Sequence, residues 1–296
     1  MKNAKAGKLV RFHAATILLA IFCALAQAQT SNSAEQYLKR GLARYKSGDL
    51  DGAIADFSRA IEVNSRTGEI YKKSVAIQGL VEDKTGNAEY DRVVVADSFN
   101  ALCYYNRGIA WSARGEADRA TGDFDKAIRI NPLYVEAYIR RGRCRHSAAD
   151  LDGAIADYSR AIALDPRSAF AYNNRGIARR AKEDLSGAIG DFDAAISINP
   201  GLTEAYVNRG AARCVIGDVA GAIADLDKAI EMNPRNAMAY NNRGKARQLG
   251  GDLPAAVADY DHAIRIDPGY ALAYANRGLA RLLEGKTEQA DSDFNR

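Results

Sequence analysis

Asparagine recurs at residues 106, 174, 208, 242 and 276, with Arg140 in the one intervening slot, so a polar side chain returns every 34 residues. A primary amide both donates and accepts hydrogen bonds, and a row of amides can hold the backbone of an extended chain whatever its side chains. The same Asn can instead satisfy its own helix or a neighbouring one, and both readings stay open at the level of sequence. Nearby, Arg143, His146, Asn173, Arg180, Asn241 and Lys245 add a polar, mildly basic set, while Leu272, Leu279, Leu282 and Leu283 form an apolar cluster. Exposed clusters of that kind mark contact sites. This is the chemistry of recognition rather than of bond-making. Among three histidines there is no His-Glu-x-x-His, and the chain has no Cys-x-x-Cys and no glycine-rich phosphate loop. No catalytic, metal or cofactor site is therefore expected.

The elements that position these residues follow from the period. Tyrosine falls at 37, 71, 104, 138, 172, 206, 240 and 274, a spacing of 34 with a single step of 33. If each unit starts three residues before its Tyr, position 8 is Gly in seven units (Gly41, Gly108, Gly142, Gly176, Gly210, Gly244, Gly278). Position 20 is Ala in the same seven, position 24 is bulky throughout, and position 32 holds five of the six prolines. Small residues at 8 and 20 allow two helices to approach closely. From Tyr172 the run YNNRGIARRAK has no internal Pro. Asp184 can cap a second helix, which carries Ala188, Ile189, Phe192, Ala195 and Ile196 at helical spacing. The Asn-Pro or Asp-Pro pair that follows stops it, because the residue before Pro is driven out of the α region.

The pattern aromatic-x-x-x-Gly, then Ala-x-x-x-aromatic, then Ala and Pro, resembles the tetratricopeptide repeat over residues 34–296. The resemblance implies an all-α, right-handed solenoid of about eight helix-turn-helix units. These are 34–67, 68–100 (irregular), 101–134, 135–168, 169–202, 203–236, 237–270 and a truncated 271–296. It also implies a non-enzymatic scaffold that holds an extended peptide or a partner helix in an inner groove. On helix A, positions 2, 5, 6, 9, 12 and 13 share one face and positions 4, 8 and 11 the other. The first set, which contains the Asn row, is the expected groove. An alternative is an assembly or regulatory subunit of a bacterial envelope export or polysaccharide-synthesis machine, acting through its outer face and ends. The Leu cluster is then a candidate surface for a partner or for self-association at the C-terminal edge.

Two columns carry charge. Position 7 is Arg in seven units and position 11 in six, both aimed at helix B, where position 23 is acidic in every unit: Asp56, Glu89, Asp123, Asp157, Asp191, Asp225, Asp259 and Asp293. A buried, unpaired charge is costly, so an Arg–Asp ladder is expected in preference to a phosphate-binding stripe. Unit 68–100 lacks the Gly (Val75) and both arginines (Ser74, Gln78), and sequence leaves open whether it is a kink, a lid or a specialised binding unit.

Residues 1–28 read as a secretory signal: Lys2, Lys5, Lys8 and Arg11 without an acid, an apolar run from 14 to 26, and Ala26-Gln27-Ala28 for cleavage. Residues 29–33 are a short linker. An exported chain, periplasmic or secreted from a bacterium, is expected, without stable membrane insertion after cleavage. Without the four signal cations, 37 Lys and Arg balance 37 Asp and Glu, which removes the compositional case for nucleic acid. Cys103, Cys144 and Cys214 fall at unrelated repeat positions and read as small core residues rather than a disulfide framework.

Overall fold

The computed structural model describes the backbone of residues 33–78 and 86–296, with side chains for 33–66 and 97–296. The signal segment and the side chains of most of the irregular unit lie outside the described residues. All regular structure among the described residues is helical. The helices are α1 (33–46), α2 (Leu50–Gln78), α3 (Gly86–Ala113), α4 (Ala117–Ile130), α5 (Val135–Ser147), α6 (Leu151–Leu164) and α7 (Ala169–Ala181). They continue as α8 (Leu185–Ile198), α9 (Thr203–Val215), α10 (Val219–Met232), α11 (Ala237–Leu249), α12 (Leu253–Ile266), α13 (Ala271–Leu283) and α14 (Thr287–Phe294). The chain divides between Cys144 and Arg145 into two compact units.

Local signals set the helix ends. Whereas α4 and α14 start on Glu116 and Lys286 without such a bond, in five repeats the second helix starts on an aspartate, Asp49, Asp150, Asp184, Asp218 or Asp252, whose carboxylate accepts the backbone N–H three residues on. The same helix stops where the sequence expects it, at the residue before Pro: Asn199 sits at φ −132°, ψ 89°, and its side chain accepts from the N–H of Gly201. The turn between the two helices needs one left-handed residue, a feature not read from the sequence. Glycine fills it at Gly48, Gly115, Gly217, Gly251 and Gly285, whereas Ala149 and Glu183 are held there at φ 62° and 64°.

Close approach of the paired helices is direct. A Cβ built on Gly41 would lie 2.6 Å from the Phe57 ring, one on Gly176 2.6 Å from Phe192, and one on Gly244 2.7 Å from Tyr260. Among the described residues, the position 20 alanines and position 24 side chains are buried between the paired helices, except that Phe294 stays half exposed. Cys103, Cys144 and Cys214 are buried free thiols in these cores, and burial pushes Cys103 up to about 12.

The irregular segment departs from the expected unit 68–100. No proline occupies the position 32 slot at Ser65, and α2 runs on to Gln78; α3 likewise begins at Gly86 and runs through residue 101 to Ala113. The two form an antiparallel pair whose contacts step along both helices: Asp51 with Arg114, Ser58 Oγ accepting from Arg107 at 2.9 Å, and Asn64 donating to Asn100 at 3.0 Å. Phe57, Ala60 and Ile61 share one core with Cys103 and Ala110. The unit beginning at 101 thus packs directly on the unit 34–67, and residues 68–78 and 86–100 continue the two helices. Deleting 68–100, with Ser65→Pro to restore the stop, leaves a regular 34-residue spacing. This variant is expected to stay helical and to melt within a few degrees of the parent by circular dichroism. Loss of cooperative melting would show that the segment belongs to the stack.

Candidate functional site

The Arg–Asp columns form the ladder, with more contacts than the sequence reading foresaw. In residues 145–296, Arg175 donates through Nε and Nη2 to both carboxylate oxygens of Asp191, at 2.9 and 2.7 Å. Arg179 adds a third donor to Asp191 at 2.8 Å and a fourth bond to the Gly187 carbonyl. The arrangement repeats at Arg209–Asp225–Arg213, Arg243–Asp259–Arg247 and Arg277–Asp293–Arg281. The remaining Nη1 of the position 7 arginine crosses to position 25 of the preceding repeat: Arg209 to Asp193, Arg243 to Asp227 and Arg277 to Asp261, or to Ser159 Oγ from Arg175. One guanidinium therefore ties helix A to helix B and one repeat to the next. The position 25 partner was missed by sequence, although the recurrence of Asp in that column at Asp125, Asp193, Asp227 and Asp261 was visible.

Residues 33–144 carry the same device at Arg40–Asp56–Arg44, Arg107–Asp123 and Arg141–Asp125. Hydrogen bonds from Arg40 hold the Asp56 carboxyl below its ordinary value despite burial. Its contribution to stability is complete above the ordinary carboxylate range and is lost as acid carries the group through its lowered pKa.

The Asn row divides. Asn208 donates to Asn173 Oδ1 at 3.1 Å and Asn276 to Asn241 Oδ1 at 2.9 Å, so a position 6 amide of one repeat closes over the position 5 amide of the preceding one. Asn173 and Asn241 are buried, Asn241 to 1% exposure, and are out of reach of a ligand. Asn106 donates to the Leu102 carbonyl of its own helix. For Asn242 the matching position 5 slot holds Val207 in place of an amide; its Oδ1 accepts from the adjacent Asn241 at 3.4 Å, and neither the Asn174 nor the Asn242 side chain bonds to a neighbouring repeat among the described residues of 145–296. Gln248 is held by the Tyr260 hydroxyl at 2.9 Å.

Helices α7, α9, α11 and α13 touch in series. Their shared face carries Asn174, Asn208, Asn242 and Asn276, with Arg180 half-buried and Lys245 exposed; His146, at the end of α5, is also half-buried. Phe170, Met238 and Leu272 stand exposed at its N-terminal rim, and Val215, Leu249 and Leu283 at its C-terminal rim. Leu272, Leu279, Leu282 and Leu283 are all exposed on α13. Arg140 and Arg143 are exposed on α5, within the 33–144 unit. Among the described residues no group of three or more His, Cys, Asp or Glu is placed to hold a metal, and no helix is long and apolar enough to cross a membrane.

Comparison with known proteins places this geometry. Tetratricopeptide repeat models match residues 34–67 and 215–271, and a TPR repeat model matches 142–181. No curated protein matches the chain. Among solved structures, a tetratricopeptide repeat protein from Parabacteroides merdae is 18% identical, covering 89% of this chain and 91% of its own, with a TM-score of 0.66. PilW, a type IV pilus biogenesis factor, is 18% identical over 65% of this chain and 90% of its own at a TM-score of 0.61, and these two share the fold alone. MamA is 25% identical over 58% of this chain and 93% of its own, at a TM-score of 0.51. With three repeat models matched in its sequence and its helix pairs sharing the fold of these structures, the chain belongs to the tetratricopeptide repeat proteins, helical scaffolds for protein–protein interaction.

Proposed function

We propose that the helix-A face of residues 145–296 binds an extended polypeptide segment, and that the protein is a non-enzymatic scaffold working through that face. The observation that carries this is the contrast between two faces of the same helices. Toward helix B, every position 7 and 11 arginine of α7, α9, α11 and α13 is ion-paired with a buried carboxylate, and the packing is closed. On the opposite face, the Asn174 and Asn242 amides retain hydrogen-bonding capacity between rims of exposed Phe170, Met238, Val215 and Leu249. Amides on the floor suit a peptide backbone, and apolar rims suit its side chains.

The test is selection of the full chain against displayed random dodecapeptides, followed by affinity measurement with the variant Phe170→Ala, Asn174→Ala, Asn242→Ala. Loss of about tenfold or more in affinity is expected, because rim aromatics and floor amides act together at such contacts. The variant keeps every Arg–Asp contact, so its melting temperature serves as the control for folding. Unchanged affinity at unchanged stability would place binding elsewhere, with the Leu cluster of α13 as the next surface to mutate.

A further inference from the structure

Arg180 is the guanidinium that the aspartate network leaves out. It follows Arg179 by one residue on α7, which turns it about 100° away from helix B and onto the helix-A face. It is half-buried there, yet its side chain makes no ion pair or hydrogen bond among the described residues. Burial holds its pKa below the ordinary guanidinium value. At the interface of α9 with α11, Lys245 at position 9 acts electrostatically on Cys214 at position 12, so these two columns meet across neighbouring repeats. The position 9 residue matched in this way to Arg180 is Ala211, whose small side chain has no group to pair with it. Positions 2, 6, 9, 12 and 13 of α7, α9, α11 and α13 contain two cations, Arg180 and Lys245, and one acid, Glu204, exposed at the N-terminal rim. The floor is positive and lacks a carboxylate of its own.

We infer that the segment bound on this face carries carboxylate side chains, one of which pairs with Arg180 while Lys245 attracts a second. The inference rests on the face reading above and adds the chemistry of the partner: an extended polypeptide in which acidic residues alternate with apolar ones. In an extended chain such alternation sets all the acids on one side, toward the floor, and the apolar side chains on the other. A planar guanidinium can engage a carboxylate through two parallel hydrogen bonds, and partial burial strengthens the pair relative to one in water. The same unpaired charge lowers the stability of the free protein, a cost that binding removes.

The experiment is fluorescence anisotropy of the full chain with a labelled dodecapeptide of alternating Leu and Glu and with its Leu and Gln counterpart. The Glu peptide is expected to bind about tenfold tighter or more, and Arg180→Gln to reduce that preference to about twofold or less. Arg180→Lys should retain part of it, and Lys245→Gln should lower it by a smaller factor. Thermal melts separate recognition from a structural role: Arg180→Gln is expected to melt at or above the parent temperature, whereas Arg175→Gln, which strips Asp191, melts below it. Equal binding of the two peptides by the parent, or an unchanged preference in Arg180→Gln, overturns the inference. If the Gln peptide then still binds and Asn174→Ala with Asn242→Ala weakens it, the face reading survives alone. Absence of binding by both peptides overturns the carboxylate inference, and the dodecapeptide selection then decides the face reading by itself.

Discussion

Asp191→Ala is expected to lower the unfolding free energy by about 3–5 kcal/mol, the range for breaking a buried ion pair from one side. Asp191 accepts from Arg175 twice and from Arg179 once, and the Arg175 and Asp191 side chains are 15% and 4% exposed. Removing the carboxylate leaves two guanidiniums between packed helices, where water cannot fully replace the lost acceptors. The effect should be strongly non-additive. Arg175→Leu combined with Asp191→Ala removes one of the stranded charges, so the double variant should be more stable than the two single losses predict, by more than about 1 kcal/mol. The exposed pair Lys228–Glu231 supplies the control, since surface pairs are worth only about 0–1 kcal/mol. Urea unfolding should be accompanied by hydrogen exchange of α7 and α8, because arrays of nearest-neighbour units need not unfold all at once. Additive losses below about 1 kcal/mol would show that the ladder is solvated.

Gly176→Val is expected to cost about 2–3 kcal/mol, from overpacking of the contact between α7 and α8. An added Cβ would meet Phe192 Cε1 at 2.6 Å, and Phe192 is 0% exposed, so the ring has nowhere to go. Replacing a helical glycine would otherwise help by about 0.5–1 kcal/mol, which is the smaller term. Moving α7 outward to relieve the clash would also stretch the Arg175 bonds to Asp191. Phe192→Leu should recover part of the loss, since it shortens the side chain against which the added methyl groups press. Gly190→Ala is the internal comparison: it lies on α8 with nothing within 4 Å of a built Cβ, and it should be neutral or slightly stabilising. Equal behaviour of the two glycine variants in thermal melts would contradict a packing role for position 8.

Sequence by itself determined whatever is decided within one repeat. The positions of Gly176, Ala188 and Phe192 specify a close helix pair, Asp184 its second start and Pro200 its stop, because caps, proline sterics and helical periodicity act over at most a few residues. The pairing of Arg175 and Arg179 with Asp191 was legible for a related reason: three charges that recur at fixed positions and point into one core have to meet. The tertiary structure decided what depends on the next repeat. Whether an asparagine is a ligand group or a strut turns on the residue 35 positions earlier: Asn208 finds Asn173 and is tied down, while Asn242 has Val207 in that slot. The bond from Arg107 to Ser58, across the interval that holds residues 68–100, set the repeat that begins at 101 directly on the first. Arg180 was one more polar groove residue in the sequence, and its lack of a partner emerged only once every neighbouring carboxylate had been assigned. Pairing between repeats is settled by packing of whole helices, and no local propensity encodes which side chain that packing will bring alongside.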